Sequence, residues 1–308
     1  MPVLIVGVPR SGTSWVGRVL KRTHDVSYVG EPDNEGKEPY AFRAKRSLGR
    51  FPTLAPKEDA PLYEQLWDDA LAGRVRGKTV REAGAKYLLK KVTRPELRAA
   101  YSHRQPRVSM RLRAIDALAS RPTVQQPGRN VVVKSVFAPM TVEWIDARWH
   151  PEILVVARNP YNVLASWVEL GYKQFDLHLH DTVRSRYAEP LGIPPLHSGA
   201  SPLQHVAWEV GLLTAVLQNA VAEHPNWRVV SHEELCMNPE DHFKKMTAEL
   251  GLEWSATADS FLKESNRPGT GYDTKRVASE QPDRWKKRLS EEQVDEIDSV
   301  LAGFPTKV

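Results

Sequence analysis

The sequence predicts an α/β fold, a parallel β-sheet flanked by helices, and three observations carry that prediction. Strand patterns recur at residues 3–6, 131–136, 153–157 and 227–230, and the first and third are continuous apolar runs, as in strands covered on both faces. Stretches with helical periodicity and recognisable caps lie between them, so strands and helices alternate. The first strand runs straight into Gly7, and Gly12 follows just before a helical pattern, giving strand, tight turn and helix at one end of the chain.

That opening corner is informative by itself. Gly7 and Gly12 have the glycine spacing of a P-loop, but Thr13 stands where the lysine of a nucleoside-triphosphate loop belongs. Glycines let backbone N–H groups turn inward toward an anion. A helix over residues 13–21 directs its unpaired N–H groups and positive dipole end at the same spot. Arg10 can supply the full charge that the missing lysine would have carried, and Ser11, Thr13 and Ser14 offer hydroxyl donors. A phosphorylated ligand other than the usual nucleotide is expected.

Residues 26–29 read as a second strand, followed by Gly30-Glu31-Pro32. Ligands of open parallel sheets gather beyond the carboxyl ends of strands, which makes Glu31 a candidate for the same site. Residues 33–129 carry scattered prolines and two helical patterns, near 61–71 and 80–91, without clean strand signals. They read as a helical, basic, acceptor-side insertion in a single domain spanning 1–308. Between Arg74 and Arg113 thirteen Lys or Arg face only Glu82 and Glu96. An anion-attracting wall, a nucleic-acid or membrane-facing patch and simply solvated helix faces all fit that imbalance.

Regular alternation returns with the strand at 131–136, which brings Lys134 and Ser135 to its end, and a helix over 141–149. The strand at 153–157 delivers Arg158 and Asn159. Asn159 suits an N-cap and Pro160 the first helical position, so a helix should run to about residue 171. Helices at 203–223, 239–250 and 256–264 and a strand at 227–230 continue the alternation. A basic, glycine-bearing stretch at 266–288 precedes a last helix opened by the capping pair Ser290 and Gln293.

Composition narrows the classes. The 308 residues carry a net charge of +5 with 41% hydrophobic residues, ordinary for a globular protein. No stretch approaches the roughly 18 apolar residues that span a bilayer, and no charged-then-apolar leader precedes the first strand. Cys236 is the only cysteine, which excludes an intrachain disulfide and a cysteine metal cage. A cytoplasmic location is expected. His178 and His180 alternate as strand-borne metal ligands would, but no third ligand is evident and no metal is expected. Trp15, Trp144, Trp149, Trp167 and Trp208 fall on helical patterns and read as core.

Several motifs together resemble one family. Val8-Pro-Arg-Ser-Gly-Thr-Ser-Trp15 is similar to the 5′-phosphosulfate loop of sulfotransferases that use 3′-phosphoadenosine 5′-phosphosulfate (PAPS). Arg158-Asn-Pro-Tyr-Asn-Val-Leu-Ala-Ser166 resembles their 3′-phosphate segment, in which a strand-end arginine and a serine eight residues later grip that phosphate. Val230-Ser-His-Glu-Glu-Leu235 is similar to the family's strand end near adenine, with His232 where a tyrosine is usual. Arg267-Pro-Gly-Thr-Gly-Tyr-Asp-Thr-Lys275 echoes the basic loop that closes over the 3′-phosphate, though the spacing differs, and only Arg267 is carried over. The histidine base of the cytosolic members is absent, because Val136 follows Lys134-Ser135. Asp25-Val-Ser-Tyr-Val-Gly-Glu31 instead resembles the tyrosylprotein and carbohydrate type, which uses a glutamate.

The resemblance implies a P-loop-like sulfotransferase fold. It implies PAPS as co-substrate, no metal, and Arg10, Ser11, Gly12, Thr13, Ser14, Trp15, Arg158, Ser166, His232 and Arg267 around the nucleotide. Glu31 becomes the base, with Arg10 and Lys134 as cations near the bridging oxygen. The acceptor is a hydroxyl of a small molecule, carbohydrate or peptide, and the cations of Arg74, Arg76, Lys78 and Arg81 raise the expectation of an anionic one. Two other readings compete. A P-loop kinase or nucleotide hydrolase would want the absent lysine and has no use for Arg158 with Ser166. A nucleic-acid binder using residues 74–113 would want a recognition helix or a stacking series, and neither is present, so nucleic acid is not an expected partner.

Overall fold

The computed structural model describes residues 1–101, 106–171, 175–268 and 277–305. Its main sheet has five strands in the order β2-β5-β1-β6-β7, where β1 is Val3–Val6, β2 Val26–Gly30, β5 Asn130–Ser135, β6 Glu152–Ala157 and β7 Arg228–Ser231. β2 runs parallel to β5, and β6 parallel to β7. This is the predicted parallel sheet flanked by helices. The chain divides into two compact units.

The first unit comprises Met1–Leu4 and Asp25–Pro151. Its register sets Val26 opposite Asn130 and Gly30 opposite Lys134, so the residues that leave β2 emerge beside the end of β5. Val132 and Val133 of β5 are completely buried, as a continuous apolar run demands. Among the described residues five helices, rather than two, fill the expected insertion, α2 (Pro39–Ala44), α3 (Pro61–Leu71), α4 (Val80–Lys90), α5 (Arg94–Ala100) and α6 (Met110–Leu118), and α7 (Val142–Trp149) follows β5. Phe42, Leu89, Leu112 and Ile115 form their common core. The helices missing from the sequence reading are short: in α5 and α6 cation-rich faces hide the apolar period, and α2, six residues long and mostly buried, is too brief to show one. Their caps were legible, however: Thr93 with Glu96 closes a capping box and Ser109 accepts from the Leu112 N–H. The absence of strands expected there is also corrected, since β3 (Arg74–Val75) pairs antiparallel with β4 (Val124–Gln125).

The second unit comprises Ile5–His24 and Glu152–Val308. β6 is buried from Ile153 to Val156. Ala157 lies opposite Ser231, so Arg158 and His232 leave adjacent parallel strands at the same end. The flanking helices include α1 (Thr13–Leu20), α8 (Pro160–Glu169) and the long helix Pro202–Glu223, whose capping box joins Ser201 and Gln204. β7 passes without a loop into the helix His232–Met237, an element absent from the sequence-based expectation, which ends the strand at residue 230. The reason is that Ser231 serves both as last strand residue and as N-cap, accepting from the Glu234 N–H. Among the described residues no helix is long and apolar enough to cross a membrane.

Candidate functional site

In the second unit the turn after β1 is tight enough to require its glycines. A Cβ on Gly7 would come within 2.5 Å of Ser11 Oγ and 2.8 Å of the Val156 carbonyl oxygen. Gly12 has φ +97° and Arg10 has φ +81°. A side chain in that left-handed region costs about 1–3 kcal/mol and persists where its surroundings over-determine it. They do here: the Arg10 carbonyl accepts from Arg158 Nη1 at 2.8 Å, and the Ser11 N–H donates to Val8 O at 2.9 Å. The helix α1 opens at Gly12 with no side-chain cap and no acidic residue in its first turn. Its N–H groups therefore keep the positive end of the helix uncompensated. Ser11 Oγ is buried and has no hydrogen-bond partner. Thr13 is buried, whereas Ser14 is exposed.

Three of the expected side chains converge beside this loop. Asn159 caps α8 by accepting from the Tyr161 N–H, and Pro160 occupies its first turn, so Arg158 is held at the strand end while Ser166 rides about two turns along the helix. Arg10 Nε donates to Ser166 Oγ at 2.9 Å, and Arg158 donates to the Arg10 carbonyl. Arg158 Nε is buried without a hydrogen-bond partner. Burial pulls the Arg158 guanidinium down to about 10, so it stays charged at neutral pH. Two guanidinium groups, a serine hydroxyl and an orphaned N–H donor make a cradle for a dianion.

His232 underpins the loop rather than facing outward. Its ring is buried so closely against Gly12 that a Cβ there would lie 2.2 Å from His232 Cδ2. Trp15 meets the ring edge-on at 5.8 Å and Cys236 Sγ lies 3.7 Å from Nδ1. Burial first, and then the Arg158 charge, hold the imidazole well below its ordinary pKa, so it is neutral. Trp15 itself packs on Phe243 and donates to Ser265 Oγ at 3.2 Å. Arg267 is exposed, and residues 269–275 of the same stretch lie outside the described residues. A Gly12→Ala variant is expected to lose at least about 1–2 kcal/mol of unfolding free energy, from the positive φ together with the collision. Adding His232→Ala should return part of that loss in denaturant melts, because the collision alone is relieved.

The first unit supplies the other two candidates. Glu31 follows β2 at φ +55°, and its N–H donates to the Lys134 carbonyl at 2.6 Å. Lys134 Nζ lies 2.6 Å from Glu31 Oε1, while Lys37 Nζ at 2.7 Å and Asn34 Nδ2 at 2.6 Å hold Oε2. Burial alone would raise this carboxyl, but the two ammonium groups outweigh it and bring it down to about 2. Burial draws the Lys134 ammonium down in turn, against the pull of Glu31. The left-handed turn is braced from behind by residues that sequence reasoning missed. Ser135 Oγ donates to Asp33, Lys45 Nζ donates to the Asp33 carbonyl and to Glu35 Oε2, and Arg50 pairs with Glu35 at 3.0 Å. Asp33, Glu35, Lys45 and Ser135 are fully enclosed. A lysine between Arg43 and Arg46 in a basic run carries no advance sign of a buried ion pair; only the Pro32-Asp33-Asn34 turn chemistry points to a braced loop.

Four arginines of the basic stretch are engaged within their own unit. Arg74 pairs with Asp69 and Arg76 with Glu38, each at 3.1 Å. Arg81 donates to the carbonyls of Leu118 and Ala117. Arg111 donates to the Lys91 carbonyl and to Glu96. Among the described residues no group of three His, Cys, Asp or Glu is placed to hold a metal ion.

Comparison with known proteins adds a family. Residues 2–256 match the family described as the Sulfotransferase family. No curated protein matches the chain. Among solved structures, the sulfotransferase domain from the curacin biosynthetic pathway is 14% identical, covers 98% of both chains and has a TM-score of 0.47. Sulfotransferase STF1 from Mycobacterium tuberculosis H37Rv is 14% identical over 98% of this chain and 76% of its own, with a TM-score of 0.43. Mouse sulfotransferase SULT7A1 complexed with PAP is 11% identical over 97% of this chain and 82% of its own, with a TM-score of 0.40.

Proposed function

Because the chain belongs to the sulfotransferase family, we propose that it moves the sulfuryl group of PAPS to an acceptor hydroxyl, giving a sulfate ester and 3′-phosphoadenosine 5′-phosphate (PAP). The observation that carries the PAPS reading is the meeting of Arg10, Arg158 and Ser166 beside a glycine loop, with Arg158 Nε and Ser11 Oγ left as buried donors without protein partners. Buried donors of that kind are costly unless a ligand answers them. A doubly charged 3′-phosphate fits the Arg158 guanidinium and the Ser166 hydroxyl, and a 5′-phosphate fits the loop amides and the open end of α1. We assign Ser11, Gly12, Thr13 and Ser14 to the 5′-phosphate, and Trp15 and His232 to supporting the loop under the nucleotide. Arg267 is proposed only as a cation on the closing stretch.

The chemistry follows from where charge moves. The acceptor oxygen forms a bond to sulfur, the bond from sulfur to the bridging phosphate oxygen breaks, and the electron pair leaves with PAP. The proton of the acceptor hydroxyl passes to Glu31. Such transfers ask a protein mainly for in-line positioning and for cations where negative charge grows. We assign that cationic role to Arg10 and Lys134. No metal takes part in this scheme. Cys236, buried and unpaired, accords with the cytoplasmic location we also propose.

Calorimetric titration of the protein with PAP, AMP and ATP with magnesium tests the donor directly. PAP should bind at least about tenfold tighter than AMP, since the added phosphate gains charge-assisted contacts of at least about 1.4 kcal/mol. Tighter binding of ATP would return the chain to the kinase or nucleotide hydrolase reading.

A further inference from the structure

A single side chain in the first turn of α8 joins three separated stretches of the second unit. Asn162 is 3% exposed and lies one helical turn after Arg158. Its Nδ2 donates to Glu233 Oε1 at 3.0 Å and to the Pro282 carbonyl at 2.9 Å, and its Oδ1 accepts from the Trp285 N–H at 3.2 Å. Glu233 belongs to the helix that continues β7, and the same Oε1 accepts from the Asn159 N–H at 3.2 Å. Packing supports the hydrogen bonds. Tyr161 lies against Trp285 with ring centroids 4.8 Å apart, and Arg288 pairs with Glu169 at 2.5 Å. Apolar contact alone would let the segment slide along α8, whereas a fully answered buried amide specifies one arrangement.

The segment held in this way carries Arg284. The two residues that Asn162 binds, Pro282 and Trp285, stand on either side of it. Its Nη1 donates at 3.2 Å to Oε1 of the buried Gln281, whose Nε2 donates to the Val277 carbonyl at 2.9 Å. The charge of Arg284 is felt at Arg158: Arg10 and Arg284 both oppose protonation of that guanidinium, while Glu233 favours it. Two cations thus act on Arg158 against the one carboxylate that Asn162 and the Asn159 N–H hold. Cations gathered in this way repel one another until an anion joins them, and they raise the affinity for that anion.

We propose that Asn162 is a positioning residue of the nucleotide site: by tying Pro282 and Trp285 to the first turn of α8 it holds Arg284 beside Arg158, where the added cation strengthens the grip on a 3′-phosphate. This rests on the PAPS reading. Asn162 itself touches no ligand in this scheme, and Glu233 steadies it from the other side.

Calorimetric titrations with PAP and AMP test it. Arg284→Gln, at a half-buried position, should weaken PAP about tenfold and AMP less than about threefold, since AMP lacks the 3′-phosphate. Asn162→Ala should do the same by releasing the segment. The two substitutions together should cost no more than either alone, because both remove one contribution. Asn162→Asp still accepts from Trp285 but sets a carboxylate against Glu233, so it should behave like the alanine variant. Adding Glu233→Gln to it exchanges donor and acceptor across the same bond with the net charge of the pair unchanged, and should recover most of the PAP affinity. Equal losses for PAP and AMP, additive losses in the combined variant or absence of that rescue overturns the proposal. So does an Arg284→Gln protein with wild-type PAP affinity, even where the Asn162 variants fail to fold. Wild-type protein that does not prefer PAP to AMP overturns instead the PAPS reading on which the proposal rests.

Discussion

Replacing Arg158 by alanine is expected to abolish the preference for a 3′-phosphorylated nucleotide. PAP should weaken by roughly 30- to 150-fold, the worth of a charge-assisted contact of about 2–3 kcal/mol, while AMP changes little. The side chain is suited to that effect because its Nε is buried with no protein acceptor and its charge survives burial. The same substitution removes the Nη1 bond that fixes the Arg10 carbonyl, so a modest uniform loss for both nucleotides should accompany the selective one. Lysine at this position should recover little, since an ammonium cannot offer two parallel donors in the fork that a phosphate accepts. Equal losses for PAP and AMP would reduce Arg158 to a brace for the loop.

Much of this arrangement could be read in advance because short-range rules wrote it. Gly7, Gly12 and the Ser11 hydroxyl between them announce a tight turn, and Asn159-Pro160 announces where a helix begins, which is what brings Ser166 back toward Arg158. What stayed hidden depends on long-range pairing. The register that sets Gly30 opposite Lys134 explains why Glu31 and Lys134, more than a hundred residues apart, share a hydrogen bond, and no local pattern encodes it. The bracing of the Glu31 turn by Asp33, Lys45 and Glu35 is hidden for the same reason. The role of the cation run stayed open for a different reason: charge density along a sequence does not say whether each arginine faces water or a carboxylate, and Arg74 and Arg76 face carboxylates.

The second large effect concerns Glu31. A Glu31→Gln variant is expected to lose about 10²- to 10⁴-fold in kcat with PAP affinity within a factor of about three, the range that removing a general base produces. With its carboxyl held down at about 2 by Lys134 and Lys37, Glu31 is ionised throughout the working range, so kcat/KM should show no acid limb from this group between pH 5 and 8. A carboxylate that acidic is a weak base while both lysines hold it. Its basicity rises when an ammonium turns toward another anion, and turnover is where that should occur.

Stability provides an independent readout. The folded-state carboxyl lies below its ordinary value of 4.5, so the stabilisation it contributes is fully present above about pH 4.5 and disappears as the pH falls toward 2. The difference in unfolding free energy between wild type and Glu31→Gln should therefore be largest at neutral pH and shrink on acidification. Glutamine also leaves the Lys134 ammonium, 2% exposed, without its counter-charge, a loss of about 3–5 kcal/mol for a buried pair. Lys134→Met with Glu31→Gln should restore part of it, since neither charge is then stranded. Catalysis should not recover in that double variant. Full turnover in Glu31→Gln, with the stability loss present, would leave Glu31 as a clasp for two lysines and require another group to take the acceptor's proton.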